Sequence, residues 1–372
     1  MALARPITLH MPPRIEIGAG ASGRVGEWAE GAARVLVLAS PHTSGFADRL
    51  DLPGEVTIFD AIPGEPDIAT FEAALDAARA ARPDLVVGLG GGSVLDAAKL
   101  VAAMWDGTQG LDDVAGPNRV AGRRTRLAQV ATTAGTGSEA GIRALITNPG
   151  TGAKIAVESP HLLADLAVLD PELTFTVPPA VTAATGIDAM AHCVEAFTNR
   201  RAHPVIDGFA RMGIDLVGRY LARAVRDGQD TEAREGMMLA SFYGGICLGP
   251  VNTAAGHALS YPLGTLLHLP HGLANAIIFP HVLAFNESVA PEKTAEVARA
   301  LGLSPEGTGG LLDAACGFCR DLGVEMRLSA HGATEDQLER FAQDAHGIRR
   351  LMDNNPRDMT VGDVLEIYRA AF

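Results

Sequence analysis

DLVVGLGGGSVLDAAKLVAAM, residues 84–104, passes from a run rich in β-branched residues through Gly90, Gly91 and Gly92 into an Ala-rich stretch. The first part reads as a strand and the last as a helix, so the glycines form the turn between them. Without side chains, these glycines let backbone N–H groups approach an anion, and Ser93 with the helix N-terminus adds donors and a favourable dipole. The chemistry suits a diphosphate cradle. The spacing is neither GxGxxG nor a Walker loop, and a Gly-rich structural turn accounts for the same residues. Asp96 and Lys99 on the helix are placed to touch ribose or phosphate; three apart, they could equally pair with each other at the surface.

Outward from this stretch, RVLVLAS (34–40), EVTIFD (55–60), RLAQVATT (126–133), ALITNP (144–149) and LAVLD (166–170) alternate with Ala-rich helical segments. That alternation predicts an α/β domain with a largely parallel sheet over residues 1–178. After DPELTFTVPP (170–179) the texture changes. AVTAATGIDAMAHCVEAF (180–197), PVIDGFARMGIDLVGRYLARAV (204–225) and TVGDVLEIYRAAF (360–372) carry helical periodicity, so residues 179–372 are expected to form an all-helical domain. Pro178 and Pro179 mark the boundary.

With 372 residues the chain is long enough for two cores, and 47% hydrophobic with 20% charged residues is ordinary for a globular enzyme. A net charge of −14 with no Lys/Arg-rich run argues against nucleic-acid binding. No apolar run of membrane-spanning length and no signal-like N-terminus is present, so a cytoplasmic protein without a membrane partner is expected. Cys193, Cys247, Cys316 and Cys319 are too few and too scattered for a disulfide framework. The CGFC pair lies in a helical-looking segment without a second Cys/His pair, which reads as core packing.

A second small-residue loop, QVATTAGTGSEAG (129–141), follows a predicted strand and offers Thr132, Thr133, Thr136 and Ser138 beside Gly135 and Gly137. Such hydroxyls are common in turns, but two such loops at strand ends favour a nucleotide, because ligands collect at the carboxyl ends of these strands. Ser40, after the strand VLVLAS, and Lys154 are counted with the cofactor-binding candidates.

In TGIDAMAHCVEAF (185–197), Asp188 and His192 are four apart and share a helix face. Alone, that pair describes a solvated polar face as readily as half a metal site. GHALSYPLGTLLHLPHG (256–272) adds His257, His268 and His271 in an apolar neighbourhood, where an unpaired imidazole costs roughly 1–3 kcal/mol. One helix is expected to carry His257 and a turn to deliver His271. Asp188, His192, His257 and His271 together make one carboxylate and three imidazoles, a set suited to Fe(II) or Zn(II) with a position left for a substrate oxygen.

GGGSVLDAAK, TTAGTGSE, TGIDAMAH and the block ending PHGLANA, followed by NNPRDMT, resemble in order the motifs of the iron-containing (group III) alcohol dehydrogenases. The resemblance covers nearly the whole chain. It implies an N-terminal dinucleotide-binding domain and a C-terminal helical domain in a dehydroquinate synthase-like plan, with NAD(H) or NADP(H), one divalent metal held by Asp188, His192, His257 and His271, and a homodimer. Many relatives carry HxxxH where this chain has HALSY, which makes Tyr261 or His268 the candidate proton relay, with water and ribose hydroxyls as the alternative to either. Relatives preferring NAD often have an acidic residue where Ser40 and Pro41 stand, so NADPH is expected to be tolerated.

Arg143, in GTGSEAGIRALIT, replaces the neutral residue common in relatives. A salt bridge, for instance to Glu139, would account for it; so would a substrate carboxylate, phosphonate or sulfonate. Arg143 and Leu248 are therefore the substrate-binding candidates, and the substrate is expected to be a short alcohol or aldehyde, with an acidic group if Arg143 binds it. Maleylacetate reductase and hydroxyacid-oxoacid transhydrogenase are the alternatives within the wider family, and the intact ligand set argues against the first. A non-enzymatic nucleotide-binding protein would need broken glycine loops or lost ligands, and neither is seen.

Overall fold

The computed structural model describes residues 5–150, 152, 154–304 and 310–372. The chain divides into two compact units: Leu9–Thr176, and Val177–Phe372 joined by residues 5–8. Arg5 ties the early segment to the second unit, donating from Nη2 to the carbonyls of Arg201 (3.1 Å) and Pro250 (2.6 Å).

The first unit is built on nine strands: β1 (Ile15–Ile17), β2 (Arg34–Ala39), β3 (Glu55–Phe59), β4 (Leu85–Gly90), β5 (Gly116–Pro117), β6 (Arg126–Ala131), β7 (Arg143–Thr147), β8 (Lys154–Glu158) and β9 (Leu166–Leu169). Six form a parallel sheet in the order β1-β9-β6-β4-β2-β3. The central strands read as continuous apolar runs because both faces are covered. Val35, Val37, Val87 and Val130 enter one core, while Leu36, Leu38, Val86 and Leu127 enter the other. The chain places β3 on one side of β2 and β4 on the other, which makes the carboxyl ends of β2 and β4 the switch point of the sheet.

The segment ALITNP behaves differently from the sheet strands predicted around it. It belongs to a separate three-stranded sheet, β5-β8-β7, in which β7 and β8 run antiparallel with Arg143 opposite Glu158. In β7 the faces alternate: Ala144 and Ile146 are buried, and Arg143, Leu145 and Thr147 lie on the more open side.

No strand occurs among the described residues after β9. Pro178 caps the helix Pro179–Thr198, with Pro179 at a first-turn position where a missing N–H costs nothing. This helix is buried along most of its length and packs on Pro204–Arg226, Thr231–Leu248 and His271–Asn286. No helix among the described residues is long and apolar enough to cross a membrane.

Candidate functional site

In the α/β unit, Gly91 caps the helix Gly92–Met104 with no side-chain hydrogen bond, so the first N–H groups of that helix have no side-chain acceptor at the cap. The turn is closely packed by its neighbour loop. A Cβ on Gly91 would come within 3.0 Å of Thr133 Oγ1, and one on Gly92 within 2.6 Å of Thr136 Cγ2 and 2.7 Å of its Oγ1. The glycines therefore have a packing role of their own. Thr132 is buried and its N–H donates to Gly90 O at 3.0 Å, which joins the loops after β4 and β6.

Neither surface pairing nor free ligand contact describes Asp96 and Lys99. Lys99 is fully buried, and its Nζ donates to Ser138 Oγ and to Arg143 O, both at 2.7 Å, with Asp96 Oδ1 at 3.4 Å. Asp96 accepts from Ser138 Oγ at 2.6 Å and from Leu145 N at 2.9 Å, so both carboxylate oxygens are used in fastening the helix to β7. Burial lowers the Lys99 pKa against the pull of Asp96. Burial likewise pushes nearby Glu139 up to about 7.

The remaining candidates of this unit are engaged in local contacts. Ser93 Oγ accepts from Glu65 N at 3.0 Å, and Ser40 sits in a turn with Thr43, whose Oγ1 accepts from Ser40 N at 3.0 Å. Lys154 Nζ reaches Thr147 Oγ1 at 2.7 Å and Glu65 Oε2 at 2.9 Å. Arg143 pairs across the hairpin with Glu158 rather than with Glu139, through Nε at 3.1 Å and Nη2 at 2.7 Å. The sequence spacing could not give this partner, because β8 had no place in the predicted strand set.

In the helical unit the four singled-out donors converge. Asp188, His192 and His257 are all buried and offer ligand atoms within 4.8 Å of one another. The Nε2 atoms of His257, His271 and His192 lie 3.5, 3.6 and 3.8 Å from Asp188 Oδ1. His271 joins through Asp188 and keeps 36% of its side chain exposed, leaving one side of the cluster open. Burial excludes a solvated polar face for Asp188 and His192. As expected, the Pro179–Thr198 helix supplies these two and the Ala255–Leu267 helix supplies His257; His271 follows a turn and opens the helix His271–Asn286.

The electrostatics are strongly coupled. Burial acts to raise the Asp188 pKa, yet the imidazoles of His192, His271 and His257 hold it well below the usual carboxylate range. Burial pushes His192 down to about 4. His257 resists the same burial and is pushed up to about 10, because Glu195 and Asp188 flank it. His192 Nδ1 and Asn275 Oδ1 are buried with no hydrogen-bond partner. Asn275 Nδ2 donates to Asp188 Oδ1 at 2.7 Å and lies 3.2 Å from both His257 Nε2 and His271 Nε2. One carboxylate, several neutral-capable imidazoles and orphaned polar atoms in a buried spot fit a divalent metal ion.

Tyr261 lies one helical turn after His257, and its ring is 5.9 Å from that of His271. Its Oη accepts from Arg350 Nη2 at 3.4 Å, and the Arg350 guanidinium lies 5.6 Å from the ring centre. His268 is exposed at the end of the Ala255–Leu267 helix with φ 56° and is not in the cluster. Leu248 ends the helix Thr231–Leu248, half-buried. Sequence reasoning missed Glu195, Asn275 and Arg350. The first two had a signal: Glu195 stands three residues after His192, and Asn275 four after His271, so each shares a helix face with a candidate ligand.

A parallel α/β unit with its glycine turn at the switch point, followed by an all-helical unit holding a buried carboxylate–imidazole cluster, defines the dehydroquinate synthase-like two-domain class. Within that class the assignment is closer. Residues 12–171 match the family described as iron-containing alcohol dehydrogenase, and residues 182–372 match the C-terminal part of the Fe-containing alcohol dehydrogenase family. Long-chain-alcohol dehydrogenase 1 of Geobacillus thermodenitrificans is 35% identical, with 100% of this chain and 98% of that protein covered. A crystal structure of a 1,3-propanediol oxidoreductase superposes with TM-score 0.92 at 32% identity, covering 99% of this chain and 100% of that one. The sulfoacetaldehyde reductase of Bifidobacterium kashiwanohense, solved in complex with NAD+, superposes with TM-score 0.90 at 27% identity, covering 99% of each chain's counterpart here and there. This chain belongs to the iron-containing alcohol dehydrogenase family.

Proposed function

We propose that the protein is a metal-dependent alcohol dehydrogenase that interconverts a short alcohol and its aldehyde, with a nicotinamide dinucleotide as hydride carrier. The observation that carries this reading is the buried convergence of Asp188, His192 and His257, with His271 at the open side. These four residues would hold one divalent ion, Fe(II) or Zn(II) by donor type. Bound there, the ion would supply Lewis acidity toward a substrate oxygen.

The chain's own residues divide the remaining work. Gly90, Gly91 and Gly92, the helix N-terminus behind them, Ser93, Thr132, Thr133 and Thr136 form the seat for the dinucleotide diphosphate. Ser40 after β2 brings no carboxylate to repel a 2′-phosphate, which supports use of both NAD(H) and NADP(H). Asp96 and Lys99 shape this seat from beneath, since their polar atoms are already engaged. Tyr261 is the better placed of the two proton-relay candidates: its ring adjoins His271 and its hydroxyl is oriented by Arg350, whereas His268 faces solvent.

A second reading adds an acidic group to the substrate, favoured by the likeness to a sulfoacetaldehyde reductase. Arg143 could seat that group only by sharing or exchanging Glu158. The test is a panel of short alcohols, aldehydes and their acidic analogues, followed by nicotinamide absorbance with Fe(II)- or Zn(II)-loaded protein. Turnover of at least one alcohol–aldehyde pair with a nicotinamide is expected. A loaded protein that oxidises no alcohol and reduces no aldehyde would contradict the proposal.

A further inference from the structure

We propose that Glu195 is a positioning residue for the ion site: its carboxylate holds His257 with Nε2 facing Asp188. This inference rests on the metal reading given above. Glu195 is on the Pro179–Thr198 helix and only 6% exposed. One carboxylate oxygen, Oε1, accepts the backbone N–H of His257 at 3.1 Å, and the other, Oε2, meets His257 Nδ1. A carboxylate oxygen accepts, so in the neutral ring, the form able to bind an ion, Nδ1 carries the proton and the lone pair is on Nε2.

That direction matters because His257 Nε2 lies 3.5 Å from Asp188 Oδ1, inside the cluster. His192 has no such support, since its Nδ1 is buried without a hydrogen-bond partner. Its ring instead stacks on His257, centroid to centroid 4.7 Å at 20°. Fixing His257 therefore also fixes the surface against which His192 rests. Carboxylate support of a ligating histidine raises its basicity and sets its tautomer.

Gly256 is part of the same device. A Cβ at that position would come within 2.5 Å of Glu195 Oε1 and 3.2 Å of its Cδ, so any side chain would force the carboxylate to shift from its place against His257. A glutamine cannot replace Glu195 without loss. Both His257 donors need an acceptor, and an amide offers one oxygen.

The test is Zn(II) affinity, measured by competition with a chromophoric chelator in the absence of nucleotide and substrate, with far-ultraviolet circular dichroism as the folding control. Glu195→Ala should weaken binding about 100-fold, and Glu195→Gln and Gly256→Ala about 10-fold, without loss of helicity. Asp188→Ala serves as the reference that loses the ion. If Asp188→Ala loses Zn(II) while all three other variants stay within about 2-fold of the wild type, Glu195 has no positioning role and the metal site stands. A wild type that binds no Zn(II) and no Fe(II) removes both readings. Should Glu195→Ala not fold, Glu195→Gln decides, being of the same size: undiminished affinity overturns the proposal.

Discussion

At the glycine turn after β4, the nearest neighbours of the missing side chains are two threonines at 2.6–3.0 Å. At the Asp188 cluster the nearest neighbours are titratable groups packed within 4.8 Å of one another. The first region works through backbone and empty volume, and the second through charge and tautomer. A substitution in the turn therefore acts by steric displacement, which spreads into packing. One in the cluster acts on a few polar atoms and leaves the surrounding core in place.

His192→Ala should give the largest effect. It removes a buried imidazole that faces Asp188, and turnover with any alcohol should fall by about 10³-fold or more, about 4 kcal/mol, as measured by kcat/KM on metal-supplemented protein. If activity persists, the cluster is no more side-chain-dependent than the turn. In the other unit the greatest loss is expected from Lys99→Ala. It removes the buried donor to Ser138 Oγ and the Arg143 carbonyl and the cation beside Asp96, and should cost roughly 3–5 kcal/mol in urea unfolding.

Glu139 gives a pH signature to the α/β unit. Its unfolded carboxyl ionises near 4.5, while burial holds the proton in the folded state up to about 7. Between these values the folded state binds more protons than the unfolded one, so its contribution to stability falls as pH rises, by about 3 kcal/mol across the window. Glu139→Gln should flatten that fall relative to the wild type in urea melts at successive pH values. Equal slopes would mean that Glu139 ionises freely in the folded protein.

Gly92→Ala sharpens the contrast at a smaller scale. Its Cβ must displace Thr136, and overpacking of this kind costs roughly 1–3 kcal/mol in thermal or urea unfolding, with dinucleotide affinity reduced in parallel. Arg143→Ala should do least. Its partly exposed pair with Glu158 is worth about 1 kcal/mol or less, and kcat/KM for acidic and neutral substrates should change alike. A selective loss on the acidic substrate would instead show that Arg143 exchanges Glu158 for the substrate anion.

The central strands of the parallel sheet and the long helices were legible because their signal is periodic and local. The apolar runs of β2, β4, β6 and β9 declare themselves within a few residues, whereas the short β1 and β5 do not. The β7–β8 hairpin was not legible, since its pairing depends on a partner strand whose sequence, KIAVE, carries only a short pattern. The four convergent donors could be read because two motifs each carry half of the set. Their supports could not. Glu195 touches His257 across 62 positions, and Lys99 reaches Arg143 across 44, contacts that exist only once the helices and strands have packed. His268 shows the opposite case: a residue type suited to catalysis, in the right stretch, that the end of a helix turns to solvent.

The central claim is that one divalent ion sits at Asp188, His192, His257 and His271. Anaerobic equilibrium dialysis against Fe(II), and separately against Zn(II), followed by elemental analysis of the wild type and of Asp188→Ala, tests it most directly. The account predicts about one ion per chain in the wild type and essentially none in Asp188→Ala at the same free-ion concentration, with both proteins folded. An Asp188→Ala protein that keeps its ion at wild-type occupancy, or a folded wild type that takes up neither metal, would contradict it.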